Sequence, residues 1–373
     1  MKRLLLIGAG HAHAQVLKDW ARAPLPGVQL SIVSPHALAP YSGMVPGWLA
    51  GHYSFNEICI RFDALAAAAG ARLVLDELVG LDAERQQVQL RSGAALDYDW
   101  LSLNVGSTLT PPAVAGARVL SLRPLGALRL AWHETLAELA ANASDQPLTV
   151  TAIGGGAAGV EALLAVCHRL RALQPTRAMH GGLVTRSTEL LPGLAPGAVR
   201  QLQRALARSG LSVQLGTEFD DAVARSSDLL LWATGAQAHG WQAGSGLAVS
   251  AAGFIRIDAG LRSVSHPQVF AVGDCAEWAN PLPKAGVYAV RMGPVLARNL
   301  RAALGAGSAT DYEPQHRFLA LLATADRRAV ASWGRWSLEG AWVWRWKDHI
   351  DRSFLRRFDI EAAAASQSLE DPA

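Results

Sequence analysis

The chain has 373 residues, half of them hydrophobic, and its 34 Lys and Arg nearly balance its 31 Asp and Glu. At roughly 150 residues per domain, this length predicts two or three globular domains with sizeable cores. The balanced charge argues against a nucleic-acid partner. Cys59, Cys167 and Cys275 are far apart in sequence, so we expect no metal cage and no redox-active disulfide, and the reducing cytoplasm is the expected compartment.

The first predicted elements are a strand at residues 4–7 and a helix at residues 12–18, joined by a glycine-rich turn. Such a unit cradles a pyrophosphate, because the turn directs backbone N–H groups and the positive end of the helix dipole at the anion. Gly8 would take the tight turn, and Gly10 would let the backbone approach the anion. The third glycine of the usual GxGxxG pattern is replaced by His13, so a turn without a ligand is the alternative. The candidate binding residues are Gly8, Gly10, His11, Ala12 and His13.

A Pro- and Gly-rich loop follows at residues 40–47, and loops of this composition often line binding sites. A helix at 62–69 and strands at 72–75, 88–91 and 98–104 come next. The block ends in a turn of small residues before Pro111 and Pro112, and we expect the chain to enter another domain there. The candidate site residues of this block are Pro40, Tyr41, Ser42, Gly43, Asn104 and Gly106.

The cradle then repeats, this time with all three glycines of the pattern, Gly154, Gly156 and Gly159. A second match in register with its own strand and helix is much stronger than one match alone, and it predicts two dinucleotide-binding domains. The other predicted elements of this unit are helices at 126–143 and 197–209 and strands at 182–185, 212–215 and 228–232. A second turn of small residues, with Thr234 and Gly235, closes the unit.

A buried strand at residues 269–274 ends in Gly273 and Asp274. A carboxylate just past the carboxyl end of such a strand faces the ligand crevice of an open α/β sheet. The alternative for Asp274 is a helix N-cap, since residues 275–278 could begin a helical turn. A helix is predicted to start near residue 283 and to continue to residue 304.

The remaining sequence is typical of a small separate module with strands at 318–323 and 329–333. Trp342, Trp344 and Trp346 alternate with other residues, which favours a packed strand face, with a membrane anchor as the alternative. A basic, aromatic helix is predicted at 347–358, and it could contact a membrane surface, another domain or another subunit. The apolar run at 147–166 is interrupted by glycines and Glu161, so no transmembrane helix is expected.

These motifs together resemble the two-dinucleotide-binding-domain flavoproteins of the pyridine nucleotide-disulfide oxidoreductase superfamily. Within it the chain is similar to type II NADH dehydrogenases and, more closely, to the FAD/NAD(P)-dependent oxidoreductases associated with selenide, water dikinase. The likeness covers residues 1–360 and includes no dikinase domain. The stretches that carry it are residues 8–13, 40–47, 50–53, 286–291 and 346–352.

The resemblance implies an α/β fold with two Rossmann-like dinucleotide-binding domains and a small C-terminal α+β module. The FAD-binding domain would be discontinuous, and the NAD(P)H-binding domain would be inserted into it. The implied limits are 1–112 and 237–308 for the FAD-binding domain, 113–236 for the NAD(P)H-binding domain, 309–360 for the C-terminal module and 361–373 for a flexible tail.

The resemblance also implies roles for the candidate residues. The turn with Gly8 and Gly10 would hold the FAD pyrophosphate, Asp274 would bind the ribityl chain, and the turn at 154–159 would hold the NAD(P)H pyrophosphate. Glu161 near the nicotinamide and Lys284 near the flavin are the candidate catalytic residues. The helix that follows Lys284 would stabilise negative charge on the reduced flavin with its N-terminus. Its candidate cofactor-binding residues are Gly286, Val287 and Tyr288.

The chain departs from the family pattern at three places. Ser34 replaces the acid that usually binds the adenosine ribose of FAD, so its hydroxyl, the backbone or water would take that role. Arg186 stands where an acid would select NADH and could pair with the 2′-phosphate of NADPH, with a solvated loop residue as the alternative. At residues 286–291 both glutamines of the AQxAxQ quinone-site pattern are absent, which leaves the electron acceptor open.

The predicted function is an FAD-dependent NAD(P)H oxidoreductase that passes a hydride from nicotinamide to flavin and electrons on to a small-molecule acceptor, with a quinone as one candidate. The alternative is a flavin-binding accessory or sensor protein without efficient turnover, with a link to selenium metabolism. A third interpretation is a quinone reductase held peripherally on the inner face of the membrane by the C-terminal helix. A homodimer is also left open.

Overall fold

A computed structural model describes residues 1–141, 145–315 and 317–360. The chain begins with a βαβ unit and continues through short strands and helices to residue 103. These elements are β1 (Lys2–Ile7), α1 (His11–Arg22), β2 (Val28–Ser34), β3 (Leu38–Pro40), α2 (Val45–Leu49), β4 (Cys59–Arg61), α3 (Phe62–Ala68), β5 (Arg72–Leu75), β6 (Leu78–Asp82), β7 (Gln87–Leu90), β8 (Ala95–Asp97) and β9 (Trp100–Leu103). Two short 3₁₀ turns lie at Ser42–Met44 and Asn56–Ile58.

A second series of strands and helices follows, and it repeats the opening βαβ arrangement. Its elements are β10 (Arg118–Ser121), α4 (Leu125–Ala141), β11 (Leu148–Ile153), α5 (Ala157–Leu173), β12 (Met179–Thr185), α6 (Pro196–Arg208), β13 (Leu211–Leu215), α7 (Asp221–Arg225) and β14 (Leu229–Trp232). The remaining elements are α8 (Gly240–Ala243), β15 (Ile255–Arg256), β16 (Val269–Ala271), β17 (Ala276–Glu277), α9 (Gly286–Ala303), β18 (Ala320–Ala323), β19 (Ala329–Trp333), β20 (Trp336–Gly340) and α10 (Ala341–Arg356).

The first sheet has five parallel strands in the order β16-β9-β1-β2-β5. Both faces of such a sheet are covered, and accordingly the apolar side chains of β1 are buried from Leu4 to Ile7. Strand β16, which belongs to this sheet, follows the whole second series of elements in sequence. The first unit is therefore discontinuous in sequence.

The second sheet is also parallel, in the order β10-β14-β11-β12-β13. Its central strand β11 lies between β14 and β12, as β1 lies between β9 and β2 in the first sheet. The fold class is thus confirmed, with two Rossmann-like units, the second inserted in the first, and a C-terminal α+β region. The domain limits given above stay predictions.

The C-terminal region contains a three-stranded antiparallel sheet, β18-β19-β20, packed against α10. The prediction of a strand at the tryptophan repeat is wrong, because helix α10 already begins at Ala341. Three alternating tryptophans are too short a pattern to separate a period of 2.0 from one of 3.6. Strand β20 was not predicted, and the predicted tail at 361–373 lies outside the described residues.

Residues 44–58 connect the first unit to the other two. Met44, Leu49 and Ile58 are buried in the hydrophobic core of the second sheet. His52 Nε2 donates to the Ala325 carbonyl at 2.6 Å, and the Tyr53 hydroxyl donates to the Asp348 carboxylate at 2.6 Å. This segment therefore fixes both the inserted unit and helix α10 relative to the first unit. No helix in the described ranges combines the length and the apolar character needed to cross a membrane.

Candidate functional site

The first glycine turn is held by Asn104, which follows strand β9. Gly8 has φ of +98°, and a Cβ on it would lie 2.4 Å from the Asn104 carbonyl oxygen. A Cβ on Gly10 would lie 2.0 Å from Asn104 Oδ1, so Gly10 is required by this side chain. The glycine at position 10 was predicted because a pyrophosphate would approach the backbone there. The contact with Asn104 gives a second, different reason for it. The Ala12 N–H donates to Asn104 Oδ1 at 3.2 Å, and Asn104 Nδ2 donates to the Val272 carbonyl at 3.0 Å.

His13 lies behind the same turn and is fully buried. Its Nδ1 is 2.7 Å from the Gly8 carbonyl oxygen, and its Nε2 is 2.8 Å from Ser102 Oγ. Because a carbonyl can only accept, Nδ1 carries the proton and Nε2 accepts from the serine hydroxyl. Burial lowers the pKa of His13 to about 4, so the ring is neutral at physiological pH. The geometry gives this histidine a supporting role, with both nitrogens occupied by the protein.

The second turn repeats this construction with backbone atoms in place of the asparagine. Gly154 has φ of +122°, and a Cβ on it would lie 2.4 Å from the Ala233 carbonyl oxygen, next to Thr234 and Gly235. A Cβ on Gly159 would lie 2.1 Å from the Gly154 carbonyl oxygen. In contrast, no described atom lies within 4 Å of a Cβ built on Gly156. This turn therefore leaves open space in front of α5.

Both turns deliver the start of a long helix to the carboxyl edge of a parallel sheet. At the start of α1 the Ala12 N–H is bound by Asn104 Oδ1, whereas among the described residues no side chain caps the first turn of α5. Unsatisfied N–H groups and the helix dipole make such starts anion-binding positions. Each unit thus has the features that a dinucleotide pyrophosphate requires.

Asp274 lies inside a 3₁₀ turn, Gly273–Cys275, directly after strand β16. Val272 holds the cap position of this turn, so the alternative role of Asp274 as a helix N-cap is wrong. The carboxylate of Asp274 accepts a hydrogen bond from the guanidinium of Arg123 and forms an ion pair with it. The same guanidinium donates to Ser107 Oγ and, at 3.3 Å, to the Lys284 carbonyl.

Arg123 was missed by the sequence analysis. It follows strand β10 of the second sheet, yet its side chain reaches the crevice of the first unit. The carboxyl end of a parallel strand is where ligand-contacting residues are expected. That rule could have identified Arg123, but its partner Asp274 is 151 residues away in sequence.

The loop with Pro40, Tyr41, Ser42 and Gly43 lies beside the start of α9. A Cβ on Gly286 would lie 2.8 Å from Ser42 Oγ, and no side chain in the described ranges caps this helix start. The ring of His11 contacts Tyr41 at 5.4 Å between centroids and Phe354 at 5.9 Å. Burial lowers the pKa of His11 to about 4, although the charge of Asp274 opposes the shift. The structure thus brings together the predicted residues of turns 8–13, 40–43, 104–107 and 273–288.

Lys284 lies between β17 and α9, and its predicted catalytic role stays a prediction. Its Nζ donates to the Ala276 carbonyl at 2.6 Å and lies 3.7 Å from the centroid of the Phe254 ring. Burial lowers its pKa. These contacts help to fix the segment before α9, where Val287 and Tyr288 continue the helix.

Glu161 meets helix α10 and strand β18 at the boundary of the two units. Its Oε1 accepts from the Ala323 N–H at 2.7 Å. Burial raises the pKa of Glu161 to about 7, and the charge of Lys347 limits the shift. Nζ of Lys347 donates at 2.6 Å both to the Gly43 carbonyl and to Asp351.

The pair Lys347–Asp351 is buried, and Asp351 also hydrogen-bonds Tyr41. Burial raises the pKa of Asp351, and the ammonium of Lys347 opposes the shift. Two charged residues four apart on a mostly apolar helix face were a signal for this pair, but only the fold shows that they face Glu161 and the loop at Gly43.

Two predicted site residues, Ser34 and Arg186, lie at the end of the second strand of each βαβ unit, β2 and β12. The Ser34 hydroxyl donates to the His36 carbonyl at 2.9 Å, so its proton is not available to a ribose. Arg186 is exposed just past β12, and the neighbouring Ser187 N–H donates to Thr185 Oγ1 at 3.3 Å. Arg186 is therefore an exposed residue at the carboxyl edge of the second sheet.

A family model described as pyridine nucleotide-disulphide oxidoreductase matches residues 2–293, and the chain belongs to this family. An NADH dehydrogenase-like protein of Mycobacterium tuberculosis is 26% identical over 311 residues, which cover 74% of this chain and 73% of that protein. The sulfide:quinone oxidoreductase of Aquifex aeolicus has the same fold, with a TM-score of 0.74 at 16% identity over 96% of this chain and 91% of that one.

An engineered water-forming NADPH oxidase, derived from the NADH oxidase of Lactobacillus brevis and bound to NADPH, also shares the fold. Its TM-score is 0.68 at 18% identity, over 89% of this chain and 75% of that one. FAD and NAD(P)H are the cofactors of this family, and the two glycine turns, each followed by a helix, suit two dinucleotides. The association with selenide, water dikinase stays a prediction.

We predict that His13→Asn makes the free energy of unfolding less dependent on pH and leaves flavin bound. The folded pKa of about 4 lies below the usual value of about 6.5, so the unfolded chain binds a proton first as pH falls. Stability from this group is present above about pH 6.5 and is lost toward pH 4. Between pH 7 and pH 5, urea unfolding of the variant should lose about 2 kcal/mol less than wild type.

The matched control is His133→Asn, because His133 is exposed on α4 and its ring meets solvent. This control should keep the wild-type pH dependence. Loss of flavin from His13→Asn at pH 7, in a chain that is otherwise folded, would contradict the supporting role assigned to His13.

Proposed function

We propose that the protein is an FAD-dependent NAD(P)H oxidoreductase in which the discontinuous unit, 1–112 and 237–308, holds FAD and the inserted unit, 113–236, holds the nicotinamide nucleotide. The observation that carries the proposal is the pair of glycine turns built on one plan, each leading from a parallel strand into a helix. In the first unit, Asn104 joins the glycine turn to Val272, just before Asp274, and Ser42 lies beside the start of α9. This crevice suits a flavin, and the open turn at Gly156 suits the second nucleotide.

When bound, the two cofactors supply the hydride transfer from nicotinamide to flavin. The chain supplies position and charge. The uncapped start of α9, beside the loop at Ser42, would stabilise negative charge at that end of the crevice. Arg123 and Asp274 present a cation and an anion at its edge, suited to a phosphate and to sugar hydroxyls respectively.

Glu161 is the residue that we propose to hold a mobile proton. With a pKa of about 7, roughly half of its carboxyl groups are protonated at neutral pH. A two-electron acceptor that becomes a dihydro product takes up a proton in addition to the hydride equivalent. Glu161 would donate that proton, and Lys347 with Asp351 would fix its charge state.

The acceptor is proposed to be a small molecule that takes electrons without a protein dithiol. Cys167 and Cys275 are buried, and burial raises the pKa of their thiols to about 12 and about 11. Neither is a reactive thiolate at neutral pH. The fold likeness to a sulfide:quinone oxidoreductase supports a quinone as the first acceptor class to test.

The nucleotide is proposed to be NADPH. Arg186 stands at the end of the second strand of its unit, where the adenosine ribose of a bound nucleotide lies in this fold, and a guanidinium there pairs with a 2′-phosphate. The changes that distinguish the engineered NADPH oxidase include an introduced arginine followed directly by an introduced serine. The same two residues occupy positions 186 and 187 here.

Anaerobic mixing of the purified flavoprotein with each nucleotide tests the function. We expect the flavin absorbance near 450 nm to be bleached within seconds by NADPH, and more slowly by NADH at equal concentration. A later addition of a quinone should restore the absorbance. Bound flavin that neither nucleotide bleaches would contradict the proposal and favour the accessory or sensor function.

Arg186→Ala should lower kcat/KM for NADPH by about 10- to 100-fold and leave that for NADH within about twofold, because only NADPH carries the 2′-phosphate. The matched control is Arg177→Ala, which removes the same charge at the opposite end of β12. Steady-state kinetics with both nucleotides provide the measurement. An equal loss for NADH and NADPH would show that Arg186 does not select the phosphate.

Glu161→Gln should remove a pH dependence of turnover. In wild type, kcat should fall as pH rises through about 7, reaching about a tenth of its plateau at pH 8, because the protonated carboxyl is lost. The variant should be slower below pH 7 and flat from pH 6 to pH 8.5. The exposed Glu218 provides the control Glu218→Gln, and an unchanged pH profile in Glu161→Gln would exclude the proton role.

A further inference from the structure

Residues 122–126, which lead from β10 into the first turn of α4, are called here the bridging segment. The segment follows a strand of the second sheet but contacts the carboxyl edge of the first. Its Arg123 bonds Asp274, which follows β16. A Cβ built on its Gly126 would lie 2.6 Å from Nε2 of His36, which follows β2. Because β16 and β2 lie on opposite sides of β1 in the sheet, the bridging segment reaches strand ends on both sides of the first glycine turn.

The guanidinium of Arg123 joins three parts of the first unit. Its Nη1 donates to Asp274 Oδ2 and to Ser107 Oγ, and its Nη2 donates to the Lys284 carbonyl at 3.3 Å. These acceptors follow β16, follow β9 and precede α9 respectively. One side chain of the inserted unit therefore holds the ends of two strands and the segment before α9 at a single point.

The two carboxylate oxygens of Asp274 have different surroundings. Oδ2 accepts from Arg123, and the Ser107 hydroxyl lies 3.5 Å from the same oxygen. In the part of the chain that the structure describes, no group bonds Oδ1. The side chain of Asp274 is 17% exposed, so Oδ1 has little water to satisfy it and is suited to accept from a ligand hydroxyl.

A guanidinium suits this arrangement better than an ammonium group would. Its N–H donors are fixed in one plane, so a single side chain can bind several acceptors and prevent rotation of the carboxylate between them. Its positive charge also compensates the negative charge of Asp274 in a partly buried place, where an unpaired carboxylate would be costly.

We propose that Arg123 is a positioning residue for FAD, which the inserted unit supplies and which orients Asp274 toward hydroxyls of the cofactor. The proposal rests on the proposed function, in which FAD binds in the first unit. It makes the affinity and the redox potential of the flavin depend on a residue of the nucleotide-binding unit. The alternative is an ion pair that only fixes the two units relative to each other.

Titration of the flavin-free protein with FAD tests the proposal, with flavin fluorescence as the measure of binding. We expect Arg123→Ala to raise the Kd for FAD by at least tenfold, because Asp274 is then free to rotate and lacks its counter-charge. Arg123→Lys should raise the Kd by about threefold, because an ammonium group restores the charge but cannot bind the three acceptors in one plane.

The matched control is Arg118→Ala, at the other end of β10. The side chain of Arg118 is 31% exposed and that of Arg123 is 30% exposed, so the same charge is removed at similar burial. Arg118 pairs with Thr135 and Glu138 of α4, inside its own unit. We expect the control to bind FAD with the wild-type Kd. Thermal unfolding of each flavin-free variant shows whether it is folded.

A double-mutant cycle separates positioning from a purely structural role. If Arg123 acts through the carboxylate, its removal matters less when the carboxylate is absent. The further loss of FAD affinity on Arg123→Ala should therefore be at least threefold smaller in an Asp274→Ala chain than in wild type. A contact that only joins the units would lower the affinity by the same factor in both chains.

The midpoint potential of the bound flavin provides a second readout. Arg123→Ala leaves the negative charge of Asp274 uncompensated, which disfavours the more electron-rich reduced flavin and lowers the potential. A tenfold loss of preference for reduced over oxidised flavin corresponds to about 30 mV for a two-electron couple. Arg118→Ala should keep the wild-type potential.

The outcomes distinguish this proposal from the proposed function. A folded Arg123→Ala chain that binds FAD as tightly as wild type, or an equal loss in the two arms of the cycle, would overturn the positioning role and leave the proposed function intact. If Arg123→Ala does not fold, an unchanged Kd in Arg123→Lys has the same meaning. A folded wild-type chain that binds no FAD would instead contradict the proposed function and this proposal with it.

Discussion

The fold of the candidate flavin crevice depends on the side chain of Asn104. Its amide bonds the start of α1 on one side and the last residue before Gly273 on the other, so three chain segments that are distant in sequence are fixed at one point. Gly8 and Gly10 are pressed against Asn104 so closely that no Cβ could be accommodated. A buried amide whose donor and acceptor are both used resists rearrangement, because each lost bond would leave an unsatisfied polar group. The turn is therefore already in place when a dinucleotide arrives.

The two units are built on one plan, and they differ in the contacts around their glycine turns. In the inserted unit, close backbone contact at Gly159 brings helix and turn together, and the space at Gly156 stays open. In the first unit, His13 replaces that contact with a hydrogen bond to Gly8, and the turn is joined to further elements. Helix α10 completes the arrangement. Its buried Lys347 reaches the boundary between the units.

Much of this could be predicted from the sequence, since each cradle is a local pattern in which strand, glycine turn and helix follow one another. The position of Asp274 was predictable for the same reason, because it directly follows a buried strand. The contacts of Arg123 and Lys347 were not, since they join segments that only the tertiary fold brings together. Helix α10 was misassigned in its first turn because three tryptophans suggested a strand period, whereas the packing of Val343 and Lys347 selects a helix. The sequence also could not show that the Ser34 hydroxyl donates to the His36 carbonyl in its own turn.

The central claim is that FAD occupies the first turn and the nicotinamide nucleotide the second. A crystal structure of the flavin-loaded protein soaked with NADP⁺ tests this claim most directly. We expect the FAD pyrophosphate at the start of α1, its ribityl chain beside Asp274, and the NADP⁺ pyrophosphate at the start of α5 with its 2′-phosphate at Arg186. Density for FAD at the start of α5, or for NADP⁺ outside the inserted unit, would contradict the account.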